Sequence, residues 1–142
     1  RDAGAELARL EAGGFLSPEQ ARSVPLEKIR AFFASPLYAR MKKAERLMRE
    51  QRFTVSQDAA LFYPQAKGER VVLQGVADCV FVEEGGLILV DYKTDRVSSP
   101  EELAERYRPQ LEVYELAMRE IFSLPVTERL LYSFHLGREI RV

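Results

Sequence analysis

Leu87-Ile88-Leu89-Val90 is the stretch that most narrows what this chain can fold into. Side chains alternate between the two faces of a strand, so four consecutive aliphatics leave no polar face for water. Such a strand belongs inside a sheet, with helices covering both sides. The turn sequence Glu83-Glu84-Gly85-Gly86 precedes it, and residues 71–82 before the turn read as its hairpin partner. Residues 53–63, rich in Thr, Val, Phe and Tyr, read as a further strand ended by Pro64. Residues 67–70 read as the turn between them.

The covering helices carry their own punctuation. Residues 5–12 form a helix stopped by Gly13-Gly14. Ser17-Pro18-Glu19-Gln20 reads as an N-cap with Pro at N1 and Gln at N3. Residues 26–34 make a further helix, and Ser35-Pro36 caps another whose apolar positions are Leu37, Met41, Ala44, Leu47 and Met48. Ser99 caps a long helix over residues 100–121, in which Pro109 predicts a kink or a break. Residues 127–135 and 139–142, joined around Gly137, close the chain as strands. The expected fold is α/β, a mixed central sheet flanked by helices. The 142 residues suffice for one domain, with a helical front over 1–52 and a sheet-and-helix core over 53–142.

Composition removes several classes of function. No apolar run approaches a membrane span, and the N-terminus has no signal-peptide core, so a cytoplasmic protein without membrane contact is expected. Cys79 is the only cysteine and reads as a small buried residue; His135 is the only histidine and reads as a strand residue. A Ser/His/Asp triad or a Cys-rich metal site is therefore excluded. The first residue is Arg1, which suggests a piece of a longer chain. The net charge of -1 speaks against a freestanding nucleic-acid binder. That sum hides an asymmetry, because residues 1–53 hold 11 basic and 7 acidic side chains and the remainder 10 and 15. The basic run Arg40, Lys42, Lys43, Arg46, Arg49 and Arg52 reads as a solvated helix face or as a patch facing a polyanion.

Three charges stand where the pattern asks for apolar residues: Asp78 within Val76–Val82, and Asp91 and Lys93 at the end of the central strand. Buried Asp and Lys need partners or a metal. Asp91 and Lys93 are two apart, so they share a face. The hairpin can bring Asp78 beside Asp91, and two such carboxylates need a cation or a shared proton. Mg²⁺ is held by one or two carboxylates with waters, and a neighbouring lysine can stabilise a developing phosphate charge. The residues themselves equally allow a structural Asp–Lys pair, with Asp78 capping a turn.

The ordered set Gly75-Val76-Ala77-Asp78, Asp91-Tyr92-Lys93-Thr94-Asp95, and Tyr107-x-x-Gln110-Leu111-x-x-x-Tyr114 resembles the RecB-type nuclease signature of the PD-(D/E)XK, restriction-endonuclease-like class. The longer match through Arg96-Val97 and Glu102-Leu103-Ala104-Glu105-Arg106-Tyr107 is similar to the nuclease domains of the AddA components of bacterial AddAB helicase-nucleases. The resemblance implies a metal-dependent deoxyribonuclease acting on single strands of unwound duplex, the 3′-ended strand, in double-strand break repair. It implies Mg²⁺, with Mn²⁺ as substitute, and an AddB-type partner subunit. Asp78 and Asp91 would be metal carboxylates, the Tyr92 carbonyl a further ligand, and Lys93 the catalytic lysine. Gln110 and Tyr114 would assist beside the site, with Tyr107 packing on the sheet. Glu50 resembles the family's acidic residue before the first strand. The family's upstream metal-binding His has no counterpart, so the chain is expected to begin after it, and the isolated piece to be weak or inactive. The alternative is a nuclease-fold module that grips DNA or a partner without cutting.

Overall fold

The central strand lies where its sequence places it. In the computed structural model, which describes residues 13–142, β3 (Gly86–Lys93) is buried along all but its last residue. It is the middle strand of a five-stranded sheet whose order follows the chain: β1 (Arg46–Asp58), β2 (Arg70–Glu83), β3, β4 (Val126–Ser133), β5 (Arg138–Arg141). All neighbours are antiparallel except β3 and β4, which run parallel. A parallel pair needs a crossover, here the helix α4 (Pro100–Phe122). The sheet is thus mixed, and helices flank it, as expected.

Three short helices cover one face: α1 (Pro18–Ser23), α2 (Leu26–Phe33) and α3 (Pro36–Lys43). Ser17 forms the expected capping box with Gln20, and Ser35 caps α3 by accepting the Tyr38 N–H. Ile29, Phe32, Leu37 and Met41 pack there on Phe81, Ile88, Val90, Tyr92 and Tyr132. The Phe32 ring meets Tyr92 at 5.5 Å and Tyr132 at 5.0 Å. Helix α4 covers the other face, burying Ala117 and Met118 against Val80, Leu87 and Leu89, and Leu103 and Leu111 against Leu131. Ser99 caps it as expected. Among the described residues, no helix is long and apolar enough to cross a membrane. The helix expected over residues 5–12 lies outside the described residues.

Several boundaries differ from the sequence reading. Helix α3 ends at Lys43, and Leu47 and Met48 belong to β1. Their adjacent side chains enter opposite layers, Leu47 with the α1–α3 face and Met48 with the α4 face, which only a strand allows. The strand therefore starts inside the expected helical front. The basic run is split likewise: Arg40, Lys42 and Lys43 lie on α3, Arg46, Arg49 and Arg52 on β1. β1 ends at Asp58, whose carboxylate accepts the Ala60 N–H and opens a short 3₁₀ turn, Ala59–Leu61. Pro109 does not break α4, which runs unbroken past it.

One irregularity shapes the site. In β1, Met48 faces α4, but so do Phe53 and Val55, so the alternation slips by one residue between them. In β2, Val80 and Val82 face α4, and so does Ala77. Both slips fall at one register position, between the pairs Arg49↔Cys79 and Gln51↔Ala77. That position is occupied by Glu50, whose φ is 51°, and by Asp78.

Candidate active site

The hairpin turn at Glu84 (φ 51°) and Gly85 (φ 77°) fixes the β2–β3 register. Cys79 pairs with Val90, which brings the next residues along, Asp78 and Asp91, opposite each other. Both carboxyls lie on the face covered by α4. Asp78 Oδ2 accepts the Tyr92 N–H at 2.9 Å. Asp91 is only 3% exposed, and its Oδ2 has no hydrogen-bond partner among the described residues. Burial, then the adjacent Asp91 carboxyl, pushes the Asp78 carboxyl up to about 7, against the opposing pull of the Tyr92 N–H and Lys93.

Lys93 lies at the end of the same strand face. Its Nζ is 2.7 Å from Asp91 Oδ2, an ion pair without hydrogen-bond alignment, and donates to Gln110 Oε1 at 3.1 Å. The Gln110 amide in turn donates to the Tyr114 hydroxyl at 3.0 Å. Gln110 and Tyr114 are four apart on α4, one turn of the same face. Burial, then the charges of Asp91 and Asp78, pushes the Tyr114 hydroxyl up to about 12, so it keeps its proton. The structure thus gathers Asp78, Asp91, Lys93, Gln110 and Tyr114 in one cluster. The Tyr92 ring turns away to the α1–α3 layer; only its backbone belongs to the cluster. Glu50 sits opposite Asp78, and the two line a cavity of about 250 Å³ with Ser17, Gln20 and Arg52. His135 is outside the cluster, beyond the end of β4.

Tyr107 is more than the packing residue its sequence context suggests. Its ring lies 3.8 Å beneath the Lys93 ammonium. Its hydroxyl donates to Asp95 at 2.7 Å, and Arg106 donates to the same Asp95 oxygen at 2.8 Å. These pairings hold the Asp95 carboxyl below its ordinary range even though burial works against them. The signal was present as the spacing of three between Tyr107 and Gln110. Cys79 is free and buried, with its thiol pushed up to about 12 by burial, and cannot act as a nucleophile.

The donor set suits a hard divalent cation in one respect. A buried carboxylate oxygen without a hydrogen bond, beside a second carboxyl, is the environment Mg²⁺ occupies with two carboxylates and waters. Among the described residues no third His, Cys, Asp or Glu joins these two closely enough to complete a metal-binding group.

Comparison with known proteins follows the same lines. The family model for the PD-(D/E)XK nuclease superfamily matches residues 2–138. The chain is 46% identical over 131 residues to the first subunit (A) of an ATP-dependent helicase/nuclease of Pelotomaculum thermopropionicum, covering 89% of this chain and 10% of that protein. The protein of the same name from Anoxybacillus flavithermus is 43% identical over 133 residues, covering 91% and 10%. That from Clostridium botulinum is 34% identical over 142 residues, covering 96% and 11%. The chain thus spans about a tenth of the length of these relatives.

Proposed function

The chain belongs to the PD-(D/E)XK nuclease superfamily, and from that membership we propose that residues 1–142 form the nuclease unit of a helicase–nuclease subunit, hydrolysing DNA phosphodiester bonds with Mg²⁺. The observation that carries this reading is the convergence of Asp78, Asp91 and Lys93 at the end of one buried hairpin. Two carboxylates at the centre of a pure anion-binding face would repel its ligand. Beside a cation they become holders of it.

Asp78, Asp91 and the Tyr92 carbonyl hold the metal in this reading. A bound Mg²⁺ would polarise the phosphate and lower the pKa of a water. Lys93, fixed by Gln110, Asp91 and the Tyr107 face, brings a positive charge to the phosphate as it gains negative charge. Tyr114 accepts from the Gln110 amide, which fixes the side of that amide facing Lys93. Glu50 lies close enough to Asp78 to act through it. The substrate is a single strand of duplex opened by the attached helicase, the 3′-ended strand. The setting is cytoplasmic double-strand break repair, with an AddB-type partner subunit. Residues 1–142 alone cut weakly or not at all.

The decisive measurement is cleavage of a labelled duplex by the longer subunit with its partner. Asp91→Ala or Lys93→Ala removes cleavage of that strand and leaves unwinding intact; wild-type cleavage by either variant overturns the assignment. One observation favours a second reading, a DNA-gripping module that does not cut: the two carboxylates have no third ligand among the described residues. Calorimetric titration with millimolar Mg²⁺ separates the two, since absence of binding by the longer subunit supports the second.

A further inference from the structure

The chain leaves β3 directly after Lys93, and its next residues line a second cavity, of about 250 Å³. Thr94 and Arg96 form one wall, Ser23 and Lys28 of the α1–α2 corner another, and Phe134 and His135 after β4 the third. Val24 and Phe134 belong to the α1–α3 layer, so this cavity opens on the sheet face opposite the Lys93 ammonium, across the same strand end. Its formally charged lining residues are Lys28 and Arg96, and no acidic side chain lines it.

Those two cations are not neutralised. The Lys28 ammonium donates to the His135 carbonyl at 3.1 Å, a dipole rather than a charge. Arg96 has no ion pair and no hydrogen bond among the described residues. Its acidic neighbour Asp95 is already engaged by Arg106 and Tyr107 on the other side. Three separate segments therefore converge to present a guanidinium, an ammonium and the Thr94 hydroxyl to one space. That space has room for a phosphate with several waters at about 30 Å³ each.

We infer that this cavity is a phosphodiester subsite, in which Lys28 and Arg96 hold a backbone phosphate of the DNA strand whose scissile bond lies at Asp91 and Lys93. The inference rests on the reading of DNA as the substrate. It adds a grip on a flanking nucleotide, reached over the end of β3, that works through charge and not through base identity.

The test is fluorescence anisotropy of a labelled thymidine oligonucleotide about 12 nucleotides long, within the span of one binding fold, titrated with the 142-residue chain in EDTA. Lys28→Gln with Arg96→Gln weakens binding about tenfold and lowers the slope of log affinity against log salt by about 1.4, two phosphate contacts on a single strand. Arg96→Gln alone, at an exposed side chain without contacts, lowers the slope by about 0.7 and leaves folding untouched. Arg138→Gln with Arg141→Gln on edge strand β5 changes neither value. The subsite is overturned if the Lys28 and Arg96 variants bind like wild type, if the β5 pair loses as much, or if wild type does not bind the oligonucleotide. Binding in EDTA without turnover keeps this outcome separate from the nuclease assignment, which Lys93→Ala cleavage decides.

Discussion

At the scale of single residues, Asp78 governs how the molecule responds to pH. Its carboxyl is pushed up to about 7 in the folded chain and returns to the ordinary carboxylate range on unfolding. The folded state therefore binds the extra proton between those limits. Asp78's stabilising contribution is complete in acid and is lost as pH rises through about 7. The melting temperature of metal-free wild type, measured against Asp78→Asn, should fall relative to the variant as pH rises from about 4 to about 8. A metal must displace the same proton, so Mg²⁺ affinity by calorimetry should climb with pH and level off above about 7. Tyr107 makes a second prediction. Tyr107→Phe keeps the ring under Lys93 and loses only the bond to Asp95, whereas Tyr107→Leu loses both. Cleavage by the longer subunit should stay within a few-fold of wild type in the first and drop about tenfold in the second. Asp78, Asp91, Lys93 and Gln110 are legible in the sequence because polar groups inside apolar patterns stand out. Tyr107 and Asp95 are not, since a tyrosine on an apolar helix face looks like packing until the ammonium above it is located.

Elements differ in how plainly their ends are written. Ser17, Ser35 and Ser99 cap their helices in the structure as in the sequence, because a side-chain oxygen bonding an N–H three residues on is a local event. The α3–β1 junction is hidden. Leu37, Met41, Ala44 and Leu47 keep helical spacing across it, and the change of period shows only once Leu47 and Met48 are found on opposite layers. The slip at Glu50 and Asp78 is hidden too, because two faults at one register position leave the pairing unchanged. In α4, packing along the sheet overrides Pro109, whose ring clashes with the Glu105 carbonyl and removes its helical hydrogen bond. Pro109→Ala should stabilise the chain by up to about 3 kcal/mol, read as a higher denaturation midpoint. Arg40 joins three elements, from α3 to Glu83 of β2 at 2.8 Å and Glu128 of β4 at 2.7 Å. These pairings raise the Arg40 pKa above its ordinary value and lower that of Glu83. Arg40 is thus fastened to the sheet, and the basic run of the sequence is not one free cationic face.

For the whole molecule, the charge asymmetry of the sequence becomes an internal seam, with the basic front docking on acidic positions of the sheet. The net charge of -1 then says little about DNA, because the Lys28 and Arg96 cavity concentrates positive charge beside a carboxylate pair. The sheet order follows the chain, with a single crossover. A chain made from its N-terminus has both hairpins, β1–β2 and β2–β3, available before α4 and β4 exist. Hairpins close over short turns, whereas β3–β4 pairing waits for the helix between them. Pulsed hydrogen exchange during refolding should find the Cys79 and Val90 amides protected before those of Leu130 and Leu131. Asp78 and Asp91 are therefore assembled, and repelling each other, while the glutamine and tyrosines that steady the lysine are still unmade. During synthesis the acidic half of the centre is older than the half that disciplines it.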